Sequence, residues 1–292
     1  MIAQAMIILS AMSAPLDLTK VLEAAVVAAA KVQQPFSEKD VAMTLWQIDD
    51  NAVLDKAEFR GEESFITASV VKLFWLAFAA HEVNAGRIKK SEEFERAVRD
   101  MIVDSSNDAT GYIVNATTGA LPGPELAGKQ LDDWNRKRQA ANRWFKSLGY
   151  QNINVIHRTY NEGAYGRERQ AFGKDLELRN RLTTNATVRM MTEIMQGKVV
   201  SPQQCEWMRA RLSRNVPADD PKADGQSKYI GSALPSGSKL WSKAGWTSLN
   251  RHDVAAFKLP DGRMYVLAIF TNYGGNDKIV PTMAKMVVDQ LQ

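Results

Sequence analysis

Apolar and polar positions along the chain change period twice. Between Pro15 and Ala30 the apolar residues Leu16, Val21, Leu22, Ala25 and Val26 recur at the three-to-four spacing of one helical face. From Val41 to Leu54 the pattern alternates (Met43, Leu45, Gln47) and is broken by Asp49-Asp50-Asn51, which is turn chemistry, so a β-hairpin is predicted. Helical spacing then dominates from Ser64 to Arg189. It is interrupted at Ala85-Gly86, from Thr118 to Pro124, and by a long polar stretch from Thr159 to Asn180. Alternation returns at Leu240–Trp246, Asp253–Leu259 and Met264–Thr271, with Pro260-Asp261-Gly262 as a turn, before a closing helix from Ile279 to Leu291.

Strands near both ends and helices between them imply that the termini share one sheet. The expected fold is α/β of the α+β kind, an antiparallel sheet flanked by terminal helices plus an all-helical lobe. The α/β lobe would span about 15–62 and 235–292 and the helical lobe about 63–234, with a ligand cleft between them. No internal repeat, low-complexity segment or Pro-rich linker divides the chain.

Composition narrows the class of protein. A hydrophobic fraction of 45% and a charged fraction of 24% provide a core of ordinary size. The 37 Lys and Arg against 33 Asp and Glu give only +4, and the densest basic cluster, Arg136-Lys137-Arg138, reads as a solvated helix face. No nucleic-acid partner is expected. One cysteine, Cys205, excludes an internal disulfide, and the three histidines fall in no metal-ligand spacing, so neither metal nor cofactor is expected. Residues 1–14 are apolar and end in small residues like the tail of a secretory signal, yet the first basic residue is Lys20. A signal remnant and a plain helix start both fit; the first places the protein in the periplasm or outside the cell. No segment is long and apolar enough to span a bilayer.

The chemistry concentrates at three places. In Ser64–Ala80 the only charged side chain is Lys72, and an ammonium in an apolar helix needs a partner or a depressed pKa. Ser69 precedes it by three residues, which on a helix puts both on one face, where a desolvated amine could take the serine proton. The plainer alternative is a snorkelling lysine beside an incidental serine. Ser105-Ser106-Asn107 follows an amphipathic helix (Phe94, Val98, Met101, Ile102) and could be no more than a helix cap. Lys243-Ala244-Gly245 lies on a predicted strand, where glycine lets another backbone approach, and could be an ordinary edge strand. Gly123-Pro124-Glu125-Leu126-Ala127-Gly128-Lys129 is near a phosphate-binding loop, but Pro124 lacks an N–H and Gln130 a metal-binding hydroxyl; it reads as a loop.

Taken in order, the three places resemble the S-x-x-K, S-D-N and K-T-G set of class A β-lactamases and penicillin-recognising serine hydrolases. Arg181-Leu182-Thr183-Thr184 is similar to the segment that follows that family's omega loop. The stretch Arg251-His252-Asp253-Val254-Ala255 through Pro260-Asp261-Gly262 to Ala268 is similar to its last hairpin. The resemblance covers about residues 38 to 292 and implies a β-lactamase/transpeptidase-like fold. It implies Ser69 as nucleophile, Lys72 as its proton-transfer partner, Ser105 as a relay to the leaving nitrogen, and Asn107 as a substrate-amide ligand. It further implies Lys243 as a partner of Ser105 and of a substrate carboxylate, with the N–H groups of Ser69 and Trp246 as oxyanion hole.

The chain departs from the pattern at Ser106, Ala244 and Trp246, beside Gly245; Thr247 could replace the hydroxyl lost at Ala244. The family's deacylating glutamate has two candidates. Counting back from Thr183-Thr184 reaches Glu168, and counting forward from Leu148-Gly149 through Arg158 reaches Glu162. The expected partner is a small β-lactam or peptidoglycan-like molecule and the expected state a monomer. The function classes left open are β-lactam hydrolysis, a D,D-peptidase or amidase, and a penicillin-binding module that acylates without turnover.

Overall fold

In the computed structural model, which describes residues 16–292, both ends of the chain meet in one sheet. The signal or helix-start reading of residues 1–14 lies outside the described residues. Helix α1 (Leu18–Val32) begins where Asp17 Oδ1 accepts the Thr19 N–H at 3.1 Å, and it packs beside the closing helix α10 (Ile279–Leu291). Strands β1 (Val41–Ile48) and β2 (Val53–Phe59) form the predicted hairpin. Its turn is tied by Asp49 Oδ1, which accepts from Asn51 N at 2.7 Å and Ala52 N at 2.6 Å.

The helical lobe follows. It comprises β3 (Phe65–Ile66), α2 (Val71–Asn84), α3 (Glu92–Ile102), α4 (Asn107–Thr118), α5 (Gly128–Arg138), α6 (Ala140–Ser147), the single turn α7 (Arg167–Gln170), β4 (Arg181–Leu182), α8 (Thr184–Met195) and α9 (Pro202–Leu212). The chain returns through β5 (Ser213–Arg214), β6 (Lys239–Trp246), β7 (Arg251–Lys258) and β8 (Met264–Thr271). The six-stranded sheet has the order β2-β1-β8-β7-β6-β5, antiparallel throughout.

Alternation along β8 shows why this sheet needs cover on both faces. Tyr265, Leu267 and Ile269 point to the terminal helices, while Val266, Ala268 and Phe270 point to the helical lobe. Helix α2 is the axis of that lobe. Phe74, Trp75 and Phe78 are buried on it, each contributing at most about 1.5–3 kcal/mol of apolar transfer. Cys205 is a free, fully buried thiol on α9. Among the described residues no helix is long and apolar enough to cross a membrane.

Three expectations are corrected. The run Ser64–Ala80 is not one helix: Phe65 and Ile66 pair with Leu182 and Arg181 as a two-stranded ribbon, a 3-10 turn covers Ala68–Val70, and α2 starts at Val71. Strand β7 begins at Arg251, two residues before the predicted start at Asp253, so His252 lies inside the sheet. The sheet also takes Ser213–Arg214 from the segment assigned to the helical lobe, pairing Ser213 with Trp241. Two-residue strands carry no readable period, which is why pattern alone passes over them.

The stretch Thr159–Asn180 is irregular apart from α7, and Asn180 pins its end. Its Oδ1 accepts from Ile156 N at 2.9 Å and His157 N at 2.8 Å, and its Nδ2 donates to His157 O at 2.8 Å. The His157 ring stacks on Phe172 at 3.9 Å, and burial holds its pKa down to about 3, so it stays neutral.

Candidate active site

The site is built where the 3-10 turn enters α2. Ala68 has φ 45°, a left-handed conformation that a non-glycine residue adopts at some strain. It turns half-buried Ser69 toward a cleft of about 550 Å³ between the helical lobe and the end of β6. Gly245 makes that contact possible: a Cβ there would stand 2.6 Å from Ser69 N and 2.8 Å from Val70 N. The turn is pinned from behind at the Ile66 carbonyl, which receives Asn250 Nδ2 at 3.1 Å and lies 2.8 Å from His252 Nε2. Thr271 N donates to His252 Nδ1 at 3.1 Å, so a neutral ring protonated on Nε2 satisfies the Ile66 and Thr271 contacts, while the Arg251 carbonyl, 2.9 Å from Nδ1, receives no proton from the ring. Burial lowers the pKa of His252 to about 4, which agrees with that state.

Two lysines meet at one hydroxyl. Lys72, fully buried on the first turn of α2, donates to the Ser105 carbonyl, to Ser105 Oγ at 3.2 Å and to Asn107 Oδ1 at 2.9 Å. Lys243, fully buried on β6, donates to Ser105 Oγ at 2.9 Å, Gln226 Oε1 at 2.5 Å and the Ala244 carbonyl at 2.6 Å. With both amines approaching as donors, the proton of Ser105 is left free to move elsewhere. Ser105 itself is held at φ 56° in the loop between α3 and α4. Ser106 then caps α4 by accepting Ala109 N at 3.1 Å, a task Ser and Asp perform equally well, so the departure at Ser106 leaves the loop's architecture intact.

Desolvation without a carboxylate neighbour lowers the Lys72 pKa to about 7. Lys243 is pushed well below its ordinary value by burial first, then by the charges of Lys72 and Arg214, with Asp253 opposing. Asp253, buried behind it, is raised to about 7 by burial and accepts the Ile230 N–H at 3.0 Å. All three donors of each ammonium are used. Lys72 makes no hydrogen bond to Ser69 Oγ, contrary to the reach expected from their spacing, because the ammonium turns to the 105–107 loop. A Lys72 that has lost a proton has a lone pair to offer Ser69.

The sequence-selected residues divide by position. Ser69, Asn107, Trp246 and Thr247 line the cleft; Lys72, Lys243 and Gly245 lie buried behind its wall, with half-buried Ser105 between the lysines. Trp246 is 46% exposed and stacks on Tyr229 at 5.9 Å, forming an aromatic edge. The Thr247 hydroxyl is engaged in its own turn, donating to Asn250 Oδ1 at 2.9 Å and accepting Leu249 N at 3.1 Å.

Glu168 is not brought to the cleft. It is buried, ion-paired with buried Arg138 at 2.5 Å, and it accepts the Tyr160 hydroxyl at 2.6 Å. Glu162, the other candidate, is exposed and lines the cleft. Asn107 Nδ2 reaches the Tyr160 carbonyl at 3.2 Å and Asn161 Oδ1 at 2.9 Å, which ties the segment after His157 to the lysine site.

Three contributors carry no sequence signal, Gln226, Asn250 and Tyr160, and a fourth, Arg138, is fully buried rather than on the solvated helix face expected of Arg136-Lys137-Arg138, because it pairs with Glu168. Gln226 is the clearest case, since it lies in an irregular stretch between β5 and β6 yet supports Lys243 and donates to the carbonyls of Ile102 and Val103.

Solved structures share this architecture at low identity. A β-lactamase from Sphaerobacter thermophilus DSM 20745 is 18% identical, with a TM-score of 0.68 over 94% of this chain and 97% of that one. PBP-A is 16% identical, with a TM-score of 0.65 over 94% and 96%. A β-lactamase from Chitinophaga pinensis DSM 2588 is 15% identical, with a TM-score of 0.68 over 93% and 98%. The fold is therefore that of β-lactamases and transpeptidases. The chain belongs to the β-lactamase enzyme family, whose sequence profile matches residues 131–291, more than half its length. That span contains Lys243 and begins after Ser69, Lys72 and Ser105. No curated protein sequence matches significantly.

Proposed function

We propose that this protein is a serine hydrolase acylated at Ser69 by β-lactams or related amides, with β-lactam hydrolysis as its reaction. The observation that carries the reading is the meeting of Lys72 and Lys243 on Ser105 Oγ, directly behind the turn that presents Ser69. In the forward step Ser69 Oγ attacks the amide carbonyl as its proton passes to neutral Lys72. The C–N bond then breaks, and the leaving nitrogen takes a proton through Ser105. Backbone N–H groups of Ser69 and Trp246, held close by Gly245, receive the oxyanion. The enzyme acts as a monomer on a small substrate in the periplasm or outside the cell.

A second reading is favoured by one feature. Glu168 is occupied by Arg138 and Tyr160, so water activation falls to exposed Glu162 or is absent, and an acyl-enzyme that persists is the alternative product. The same nucleophile would serve a D,D-peptidase. Steady-state nitrocefin turnover against stoichiometric labelling by a fluorescent penicillin separates these outcomes. Ser69→Ala should abolish both signals; labelling that survives it refutes the nucleophile.

A further inference from the structure

The lining of the cleft carries three arginines, Arg158, Arg169 and Arg179. Every other arginine of the chain has a hydrogen-bonded or ion-paired partner, whether a carboxylate or a backbone or side-chain oxygen. These three have none among the described residues. Arg158 is the most committed: its Nε is buried without a partner, its guanidinium lies over the Tyr160 ring at 5.1 Å, and Gly111 leaves it room, since a Cβ there would stand 2.9 Å from Nη1. The one carboxylate on the same lining is Glu162, and the wall's charge remains positive.

Three guanidiniums on the lining of one cleft, none with a hydrogen-bonded or ion-paired partner, concentrate positive charge there, and an anion between them offsets it. The planar fork of arginine suits a carboxylate in particular. The position of the wall says which part of a substrate it meets. Asn107, the side-chain amide nearest Lys72, is bonded to Tyr160 and Asn161, so whatever extends from an amide held there runs along the segment that carries the arginines. We propose that Arg158, Arg169 and Arg179 form a subsite for a carboxylate on the acyl side chain, making the preferred substrate a β-lactam with an anionic side chain. This rests on the reading of the cleft as an acylation site and adds its selectivity.

The test uses two penicillins that differ by one group. Carbenicillin is benzylpenicillin with a carboxylate on the side-chain carbon next to the amide carbonyl. Calorimetric titration of Ser69→Ala measures binding without acylation. Carbenicillin should bind about tenfold tighter than benzylpenicillin at low salt, the gap narrowing as salt is raised and again in Arg169→Gln and Arg179→Gln. Ampicillin, with an ammonium at the same carbon, should bind more weakly than either. Equal affinities, a gap that survives both arginine variants, or no binding of any of the three overturns the proposal. Mass labelling of the parent protein reports separately on Ser69. A protein that binds carbenicillin selectively but is never acylated refutes the nucleophile while leaving the subsite in place.

Discussion

Arg138 and Glu168 form a buried ion pair, 2.5 Å between Nη2 and Oε1, beneath the segment that lines the cleft. Glu168 holds Tyr160 by its hydroxyl, and Arg138 also donates to the Ala120 carbonyl at 2.8 Å. Removing one partner of such a pair leaves a buried charge uncompensated. Glu168→Gln should therefore destabilise the protein by about 3–5 kcal/mol, read from denaturant unfolding, and joint replacement of Arg138 by Met and Glu168 by Leu should recover much of that loss. A Glu168→Gln protein as stable as the parent would mean that the pair does not hold the segment.

Acylation should accelerate with pH through neutrality. Burial lowers the Lys72 pKa from 10.5 to about 7, so the amine proposed to accept the Ser69 proton is about one-tenth neutral at pH 6 and nine-tenths at pH 8, a gain of about tenfold. The unfolded chain holds that proton up to 10.5, so folding releases it between the two values. The contribution of Lys72 to stability therefore improves as pH rises across that window and is least favourable below 7. Rates of fluorescent-penicillin labelling from pH 5.5 to 8.5 check the first part; a flat profile would remove Lys72 from the proton transfer. Lys72→Ala should slow labelling by about a hundredfold or more.

Gly245→Ala tests the close approach of β6. The added methyl meets backbone nitrogen rather than a side chain that can swing aside, so the strand or the nucleophile turn must shift. An ångström-scale displacement of this kind should reduce acylation about a hundredfold, measured as kcat/KM or labelling rate, while the melting temperature falls by only a few degrees. Acylation at the parental rate would show that the turn tolerates the displacement.

Gln226→Leu should leave the Lys243 ammonium short of one acceptor and remove one of the two donors to each of the Ile102 and Val103 carbonyls, which keep Arg214. A stability loss of about 1–3 kcal/mol is expected from thermal or denaturant melts. The labelling rate should fall as well, because Lys243 loses its fixed position against Ser105.

The fold was legible in the sequence wherever a period ran for a full element. Met264–Thr271 and Ile279–Leu291 appear with the boundaries their alternation and helical spacing mark, and the hairpin turn falls at Asp49-Asp50-Asn51. The lysine–serine site was legible because an ammonium inside an apolar run is costly and so carries information. What could not be read depends on contacts distant in sequence. Counting residues to Glu168 says nothing of Arg138, thirty positions away, which removes that carboxylate from the cleft. The spacing of Ser69 and Lys72 assumed continuous helix, whereas the 3-10 turn at Ala68–Val70 and the 105–107 loop decide where the ammonium points. Arg158, Arg169 and Arg179 look like ordinary surface charges until the irregular segment gathers them on one wall.

The solitary thiol of Cys205, sealed inside the helical lobe, has a practical consequence. Maleimide and iodoacetamide reagents should find nothing to react with on the native protein, and denaturation should unmask a single site. A cysteine introduced at Tyr165, on the outer face of the Thr159–Asn180 segment, would then be the sole reactive position on the folded molecule. A dye placed there could follow that segment while substrate enters and leaves.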